Sequence, residues 1–157
     1  DKLKNENAKK INYTAIAIKG LFGKYKTCGG SVTVDGETRR YKKIWLSSGM
    51  NGHYYGGGMM ISPSQDRDSG KVSVMVIHGG SRIKALAVFA KIKNGGHIKH
   101  TEMVDVFEGY DVKVEFSTPN DLQIDGEVYT GITRYSVQCK KKDDIVKNVK
   151  IIDGDTV

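Results

Sequence analysis

The sequence predicts a mainly β protein, either a β-sandwich or a distorted barrel, with one or two helices. Three observations support this class. The 157 residues include 19 glycines and 2 prolines, which favours many tight turns. Short segments of alternating apolar and polar residues recur along the chain. The pair Asp35-Gly36 supplies the positive φ values that a two-residue hairpin turn needs. Without an internal repeat or a linker rich in Pro or Ser, residues 1–157 are predicted to form a single domain.

Two helices are predicted from apolar spacing and from the residues at their ends. The first covers 6–22, where apolar residues recur at helical spacing and Gly23 is placed to end the helix. The second covers 81–93, because Ser81 is a favoured N-cap residue. Its predicted buried face consists of four apolar residues: Ile83, Leu86, Ala87 and Ala90.

Strands are predicted wherever apolar and polar residues alternate between turn residues. The first two form a hairpin over 31–46, centred on Asp35-Gly36. The others are predicted over 71–78, 103–107, 112–116, 122–124, 127–129, 132–138 and 145–152.

Composition limits the classes of protein to which the chain can belong. Hydrophobic residues make up 38% and charged residues 27%, as in soluble globular proteins. No apolar run approaches the roughly 20 residues of a membrane span, and the first residues, Asp-Lys-Leu-Lys, do not resemble a signal peptide. Cys28 and Cys139 lie far apart without metal-ligand spacing, which predicts two reduced thiols in a cytoplasmic protein.

The net charge of +7 favours anionic partners. A membrane that carries anionic lipids and a phosphate substrate both fit this charge, as does a well-solvated surface. Nucleic acid is not a predicted partner, because no known nucleic-acid motif with interleaved aromatic residues occurs in the chain.

The stretch 49–72 is the most unusual part of the sequence. Three consecutive glycines, Gly56, Gly57 and Gly58, lose more backbone entropy on folding than other residues would. Their presence indicates either positive φ or a close backbone approach, and we interpret them as close packing near a site. A Ser62-Pro63 break and an acidic turn over 66–70 follow.

This order of features resembles a known family. Three glycines, an apolar pair, a residue before proline, an acidic turn that ends in Gly70, and then a strand are similar to the C-terminal domain of the diacylglycerol kinase and sphingosine kinase family, in particular its soluble bacterial members. The resemblance extends from about Asn12 to the end of the chain. It implies the C-terminal domain of the NAD kinase/diacylglycerol kinase-like fold.

The resemblance also implies a catalytic residue. Asp125-Gly126-Glu127 looks like the family's Asp-Gly-Glu turn, in which the glutamate is the general base for the lipid hydroxyl. Phosphoryl transfer needs such a carboxylate, together with cations and backbone donors around the phosphates. Asp125, Gly126 and the glycines of 56–58 would support the substrate cleft. However, Asp-Gly is also an ordinary hairpin turn, and the chain has a second copy, Asp35-Gly36-Glu37, interpreted as a turn alone.

A magnesium loop is the next feature that the resemblance implies. The family binds the ion through one aspartate and two backbone carbonyls. Ser69 stands at the aspartate position, and Asp66 and Lys71 stand at the carbonyl positions. Either Asp68 or Asp66 supplies the carboxylate instead, or this member has dispensed with the ion. The segment is also compatible with a simple solvated turn.

Histidines are possible metal ligands. His97 and His100 lie in a glycine-rich stretch without a neighbouring ligand at metal spacing, so a solvated pair is expected instead of a zinc site. For His53 we expect a packing or turn role.

The nucleotide motif of the family, Gly-Gly-Asp-Gly-Thr, occurs nowhere in the 157 residues. The resemblance therefore implies the C-terminal part of a lipid kinase. ATP and Mg²⁺ would be bound mainly by the protein's own N-terminal domain, a lipid such as diacylglycerol would enter between the domains, and the enzyme would lie transiently at an anionic membrane surface. The fragment alone would be inactive. The alternative is a non-catalytic β-sandwich that binds anionic lipid head groups or glycans.

Overall fold

The computed structural model describes residues 25–138 and the backbone of residues 148–151. The strands are β1 (Cys28–Val34), β2 (Glu37–Met50), β3 (Tyr54–Tyr55), β4 (Met59–Met60), β5 (Val72–His78), β6 (Val104–Gly109), β7 (Asp111–Ile124), β8 (Glu127–Gln138) and β9 (Asn148–Ile151). One α-helix, α1 (Arg82–Ala90), and three 3₁₀ helices, Arg67–Ser69, Ile92–Asn94 and Gly96–Lys99, complete the described part. The helix predicted over 6–22 and Cys139 lie outside it. In this part of the chain, no helix has the length and apolarity needed to cross a membrane.

The strands form a seven-stranded antiparallel sheet in the order β6-β5-β2-β1-β7-β8-β9, and β3 and β4 form a separate ribbon. The predicted mainly β class is therefore confirmed. The first hairpin is also confirmed, because Asp35 and Gly36 have φ values of 49° and 92° and Val34 pairs with Glu37. Such paired positive φ values match the twist of a two-residue hairpin.

The sheet folds over on itself into a sandwich-like arrangement. Strands β2 and β8 are separated by two strands in the sheet order, yet Ser47 Oγ lies 3.2 Å from Tyr135 Oη. A Cβ atom added to Gly49 would lie 3.4 Å from Val137 Cγ2. The buried cluster between these layers is formed by Val32, Ile44, Val72, Val74, Val76, Val112, Val114 and Tyr135.

Strand β5 is buried on both faces, which explains its nearly continuous apolar sequence. Val74 faces the sandwich interior. The next residue, Met75, belongs to a second buried cluster, because alternate side chains point to opposite faces of a strand. Helix α1 and the 3₁₀ helix Ile92–Asn94 pack on this second face. The cluster there consists of Trp45, Met50, Ile61, Met75, Ile77, Ala85, Val88, Ile92, Met103 and Val104.

Helix α1 begins as predicted, since Ser81 Oγ accepts a hydrogen bond of 3.3 Å from the Lys84 backbone nitrogen. The predicted buried face is wrong. The exposed residues include Ile83, Ala87 and Ala90, whereas the buried ones are Ala85 and Val88, with Leu86 and Phe89 partly buried. Nearly every position in this helix is apolar, so periodicity alone does not select a face.

The prediction of several short strands after residue 110 is also wrong. The segments expected over 112–116 and 122–124 belong to the single strand β7, and those over 127–129 and 132–138 belong to β8. A register shift between Glu115 and Asn120 allows Pro119 to lie within β7, because bulges tolerate a residue that cannot donate a ladder hydrogen bond. Turn residues therefore mark irregularities in these two strands and not their ends.

Candidate functional site

The two Asp-Gly-Glu segments have the same backbone conformation but different surroundings. In the second, Asp125 and Gly126 have φ values of 49° and 97°, nearly those of the first. In the first, Asp35 Oδ1 accepts hydrogen bonds from the backbone nitrogens of Tyr110 at 2.9 Å and Asp111 at 2.8 Å. The first turn is thus fixed against the connection between β6 and β7, and the Asp35 carboxylate has a structural role.

The second turn is open. Glu127 is the first residue of β8 and pairs with Ile124 across the hairpin, and both Asp125 and Glu127 are exposed. A Cβ atom added to Gly126 would meet no atom within 4 Å, and the same is true of Gly36 in the first turn. Within residues 25–138, Tyr129 is the hydrogen-bond partner of the Glu127 carboxylate, and its Oη donates to Oε2 at 3.0 Å. The carboxylate therefore keeps lone pairs for another donor.

Tyr129 was not singled out from the sequence, although its spacing provides a signal. Residues i and i+2 lie on the same face of a strand, which places Tyr129 beside Glu127 on β8. The hydrogen bond to Glu127, together with the negative charge of that carboxylate, raises the pKa of the Tyr129 phenol. Tyr129 thus remains a neutral donor to Glu127.

The three glycines form the turn between β3 and β4. Gly56, Gly57 and Gly58 have φ values of 35°, 66° and 80°, so of the two alternatives, positive φ and close backbone approach, the structure shows positive φ. The predicted close packing is wrong, because a Cβ atom at Gly58 would meet nothing within 4 Å and one at Gly56 would lie 3.7 Å from Met59 Cε. Backbone conformation, and not lack of space, requires glycine here.

The acidic turn forms the 3₁₀ helix Arg67–Ser69. Asp66 is its N-cap, and its carboxylate accepts a hydrogen bond of 2.9 Å from the Asp68 nitrogen. Gly70, with a φ of 71°, ends the helix. The carboxylate of Asp66, one of the candidate metal ligands, therefore caps a helix end.

The backbone carbonyls of Asp66 and Lys71, the predicted metal ligands, accept hydrogen bonds from Gln65, a residue that the sequence analysis does not single out. Gln65 is 2% exposed, and its Nε2 donates to Lys71 O at 2.8 Å and to Asp66 O at 3.3 Å. Ser69 Oγ donates to Asp66 O at 2.6 Å. Within the described ranges, no group of three or more His, Cys, Asp or Glu side chains could hold a metal ion.

The acidic turn and Glu127 lie at opposite ends of β7. A Cβ atom added to Gly70 would lie 3.9 Å from Tyr110 Cε1, and Tyr110 directly precedes β7. Glu127 follows the other end of this 14-residue strand, which corresponds to roughly 40 Å of extended chain. The structure therefore brings Asp66, Asp68, Ser69 and Lys71 together but does not join them to Glu127.

The histidines do not form a metal site with one another. His97 is buried and its Nε2 lies 2.9 Å from Ile61 O, so the expectation of a solvated residue is wrong. The 3₁₀ helix Gly96–Lys99 turns this ring inward. His100 contacts Glu102 Oε1 through Nδ1 at 3.2 Å. His53 Nε2 contacts the Gln65 carbonyl, in agreement with the predicted turn role.

Comparison with known proteins identifies the family. Residues 2–140 match the model of the YegS C-terminal NAD kinase beta sandwich-like domain. A diacylglycerol kinase of Mycobacterium tuberculosis (strain CDC 1551 / Oshkosh) is 25% identical over 109 residues, which cover 66% of this chain and 35% of that protein. The chain thus spans about a third of the length of this relative.

Two crystal structures from Bacillus anthracis strain Sterne share the fold. A protein described as a candidate diacylglycerol kinase superposes with a TM-score of 0.59 at 15% identity, covering 88% of this chain and 46% of that one. A diacylglycerol kinase superposes with a TM-score of 0.55 at 14% identity, covering 77% and 42%. With the family match over most of its length, the chain belongs to the family of the YegS C-terminal NAD kinase beta sandwich-like domain.

Proposed function

We propose that this chain is the C-terminal part of an ATP-dependent lipid kinase, and that Glu127 is its general base. The observation that carries the proposal is the contrast between the two Asp-Gly-Glu turns. In the first turn Tyr110 and Asp111 donate to the Asp35 carboxylate, whereas in the second Tyr129 donates to the Glu127 carboxylate. Glu37 and Glu127 are both exposed. The acceptor is a lipid hydroxyl such as that of diacylglycerol, the substrate in the names of the relatives.

The reaction requires one proton acceptor at the lipid hydroxyl. The hydroxyl oxygen attacks the γ-phosphorus of ATP, the bond between that phosphorus and the β–γ bridging oxygen breaks, and ADP leaves. The hydroxyl proton passes to the Glu127 carboxylate. Tyr129 donates to one oxygen of this carboxylate, so the other can face the substrate.

ATP, with Mg²⁺ on its phosphates, would be bound mainly by an N-terminal domain of the same protein. The support is the absence of Gly-Gly-Asp-Gly-Thr from these residues and the 35% coverage of the mycobacterial relative. The lipid would then enter between the two domains, and the described chain alone would not transfer phosphate.

The membrane surface is the proposed place of action, with the enzyme cytoplasmic and peripheral. A net charge of +7 favours contact with anionic lipids. Tyr129, on the same face of β8 as the proposed base, is 37% exposed, and Val128, on the other face, is 62% exposed. Exposed apolar surface beside a carboxylate suits a substrate that has a hydroxyl head and acyl chains.

The test is a matched pair of substitutions in the enzyme assembled with its N-terminal domain. Glu127→Gln keeps size and shape but cannot accept a proton, so turnover should fall about 10²- to 10⁴-fold at saturating lipid. Glu37→Gln, in the closed turn, should leave turnover within about threefold of the parent. The proposal is wrong if both variants, at equal thermal stability, stay within about threefold. An assembled parent that binds anionic vesicles but transfers no phosphate would favour a binding module.

A further inference from the structure

In the loop over 65–71, both NH₂ donors of the buried Gln65 side chain form hydrogen bonds. Gln65 is 2% exposed, and burying an amide is costly unless its polar atoms are hydrogen-bonded. Its NH₂ group has two donors, and they serve the carbonyls of Lys71 and Asp66. Gln65 Oε1 accepts no hydrogen bond from the described residues. The position of Gln65 is thus fixed by the two carbonyls.

The carbonyl oxygen of Asp66 has no lone pair left for a cation. It has two lone pairs, and it already accepts from Ser69 Oγ at 2.6 Å, from the Ser69 nitrogen at 3.3 Å and from Gln65 Nε2 at 3.3 Å. A magnesium ion at this point would need oxygen ligands at about 2.1 Å. It would have to displace Gln65 and turn the Ser69 hydroxyl away.

The Ser69 hydroxyl both donates and accepts a hydrogen bond. It donates to Asp66 O and accepts from the Lys71 nitrogen at 3.1 Å. A carboxylate at position 69 could accept from Lys71 but could not donate to Asp66. A carboxylate oxygen at position 69 would then face the carbonyl oxygen of Asp66, and a cation between the two oxygens would stabilise this arrangement. The hydroxyl provides that link without a cation.

We propose that Gln65 and Ser69 close this loop by hydrogen bonds at the place where the resemblance implies a magnesium ion, so that the loop folds without a divalent cation. The residues present do not fit the ion, since its two carbonyl ligands are engaged by protein donors. The backbone carbonyls of Asp66 and Lys71, which the resemblance implies as metal ligands, instead accept hydrogen bonds from the side chains of Gln65 and Ser69.

The first test observes the loop directly by ¹H–¹⁵N NMR of the chain, after removal of metal with EDTA. Magnesium is then added to about 10 mM, which exceeds the dissociation constants of about 10⁻⁴ to 10⁻³ M of the weakest calcium sites. The backbone amide signals of 66–71 and the Gln65 NH₂ signals should not move, and the NH₂ protons should exchange slowly with solvent. A saturable shift of these loop signals would overturn the proposal.

The second test compares two substitutions at one position. Ser69→Ala removes the hydroxyl link, so the thermal midpoint should fall by about 2–5 °C and should not respond to magnesium. Ser69→Asp should also lower the midpoint in EDTA, but magnesium should raise it again, while the parent stays unchanged. If both variants melt with the parent in EDTA, or if magnesium raises the midpoint of the parent, the hydrogen bonds do not stand in for a cation.

Discussion

The phenol of Tyr129 donates a hydrogen bond of 3.0 Å to the carboxylate of Glu127, two residues earlier on β8. Because this bond and the carboxylate charge raise the pKa of Tyr129, replacing Glu127 by Gln should lower that pKa. The measurement is an NMR titration of the Tyr129 ring in the parent and the variant. Glu37→Gln, in the other turn, should leave the titration unchanged. An identical Tyr129 titration in Glu127→Gln would mean that the contact does not persist in solution.

His97 should make the protein sensitive to acid. Burial is the largest effect and lowers the pKa of His97 below its ordinary value of 6.5. The hydrogen bond to Ile61 O raises this pKa, whereas the charge of His100 lowers it further. Ile61 O can only accept, so Nε2 carries the proton and a second proton would go to Nδ1. That atom is buried and has no partner among the described residues, so the charged ring is disfavoured in the folded state.

The sign of the pH dependence follows from this lowered pKa. Below about pH 6.5 the unfolded chain binds the proton more readily, so stability is complete above that pH and falls as the pH drops through the folded-state pKa. His97→Gln removes the titration, so its urea midpoint should change less between about pH 7 and pH 5 than that of the parent. His53→Gln, at an exposed position, is the control. Equal pH dependence in all three proteins would contradict the prediction.

Tyr135 should limit stability at high pH. Burial raises its pKa from 10.0 to about 12, with the hydrogen bond to Ser47 acting in the opposite direction. The folded state therefore resists ionisation, and the contribution to stability is complete below about pH 10 and is lost as the pH rises toward about 12. Tyr135→Phe should show a smaller loss of stability over this range in urea titrations, whereas Tyr54→Phe, at an exposed side chain, should behave like the parent.

Gly30 should be irreplaceable in β1. A Cβ atom there would lie 2.3 Å from the Glu115 carbonyl oxygen and 2.9 Å from Ile44 Cδ1, so β1 and β7 would have to move apart. Gly30→Ala should lower the unfolding free energy by about 1–3 kcal/mol. At neighbouring Gly29 the nearest atom would be Tyr41 O at 3.3 Å, so Gly29→Ala should cost less than about 1 kcal/mol. Equal urea midpoints for the two variants would refute this difference.

The sequence by itself determined the local features of this protein. The turn at Asp35-Gly36 and the N-cap at Ser81 follow from the sequence, and the structure shows both. For Gly56 to Gly58 the sequence leaves two alternatives, positive φ and close packing, and the structure shows the first. Their physical causes lie within a few residues: glycine tolerates positive φ, and a serine oxygen can reach a nitrogen three residues later. The family resemblance likewise depended on the order of short motifs, which the match over 2–140 confirmed.

Tertiary structure decided the features that depend on distant partners. The two Asp-Gly-Glu turns cannot be told apart locally, and one is closed only because Tyr110, 75 residues later, donates to Asp35. The sequence does not identify the buried face of α1, because a largely apolar helix has no preferred side until the sheet covers one. The sequence does not predict the burial of His97, because its partner, Ile61 O, is 36 residues away. Such contacts form only when the sheet folds over and brings separate segments together.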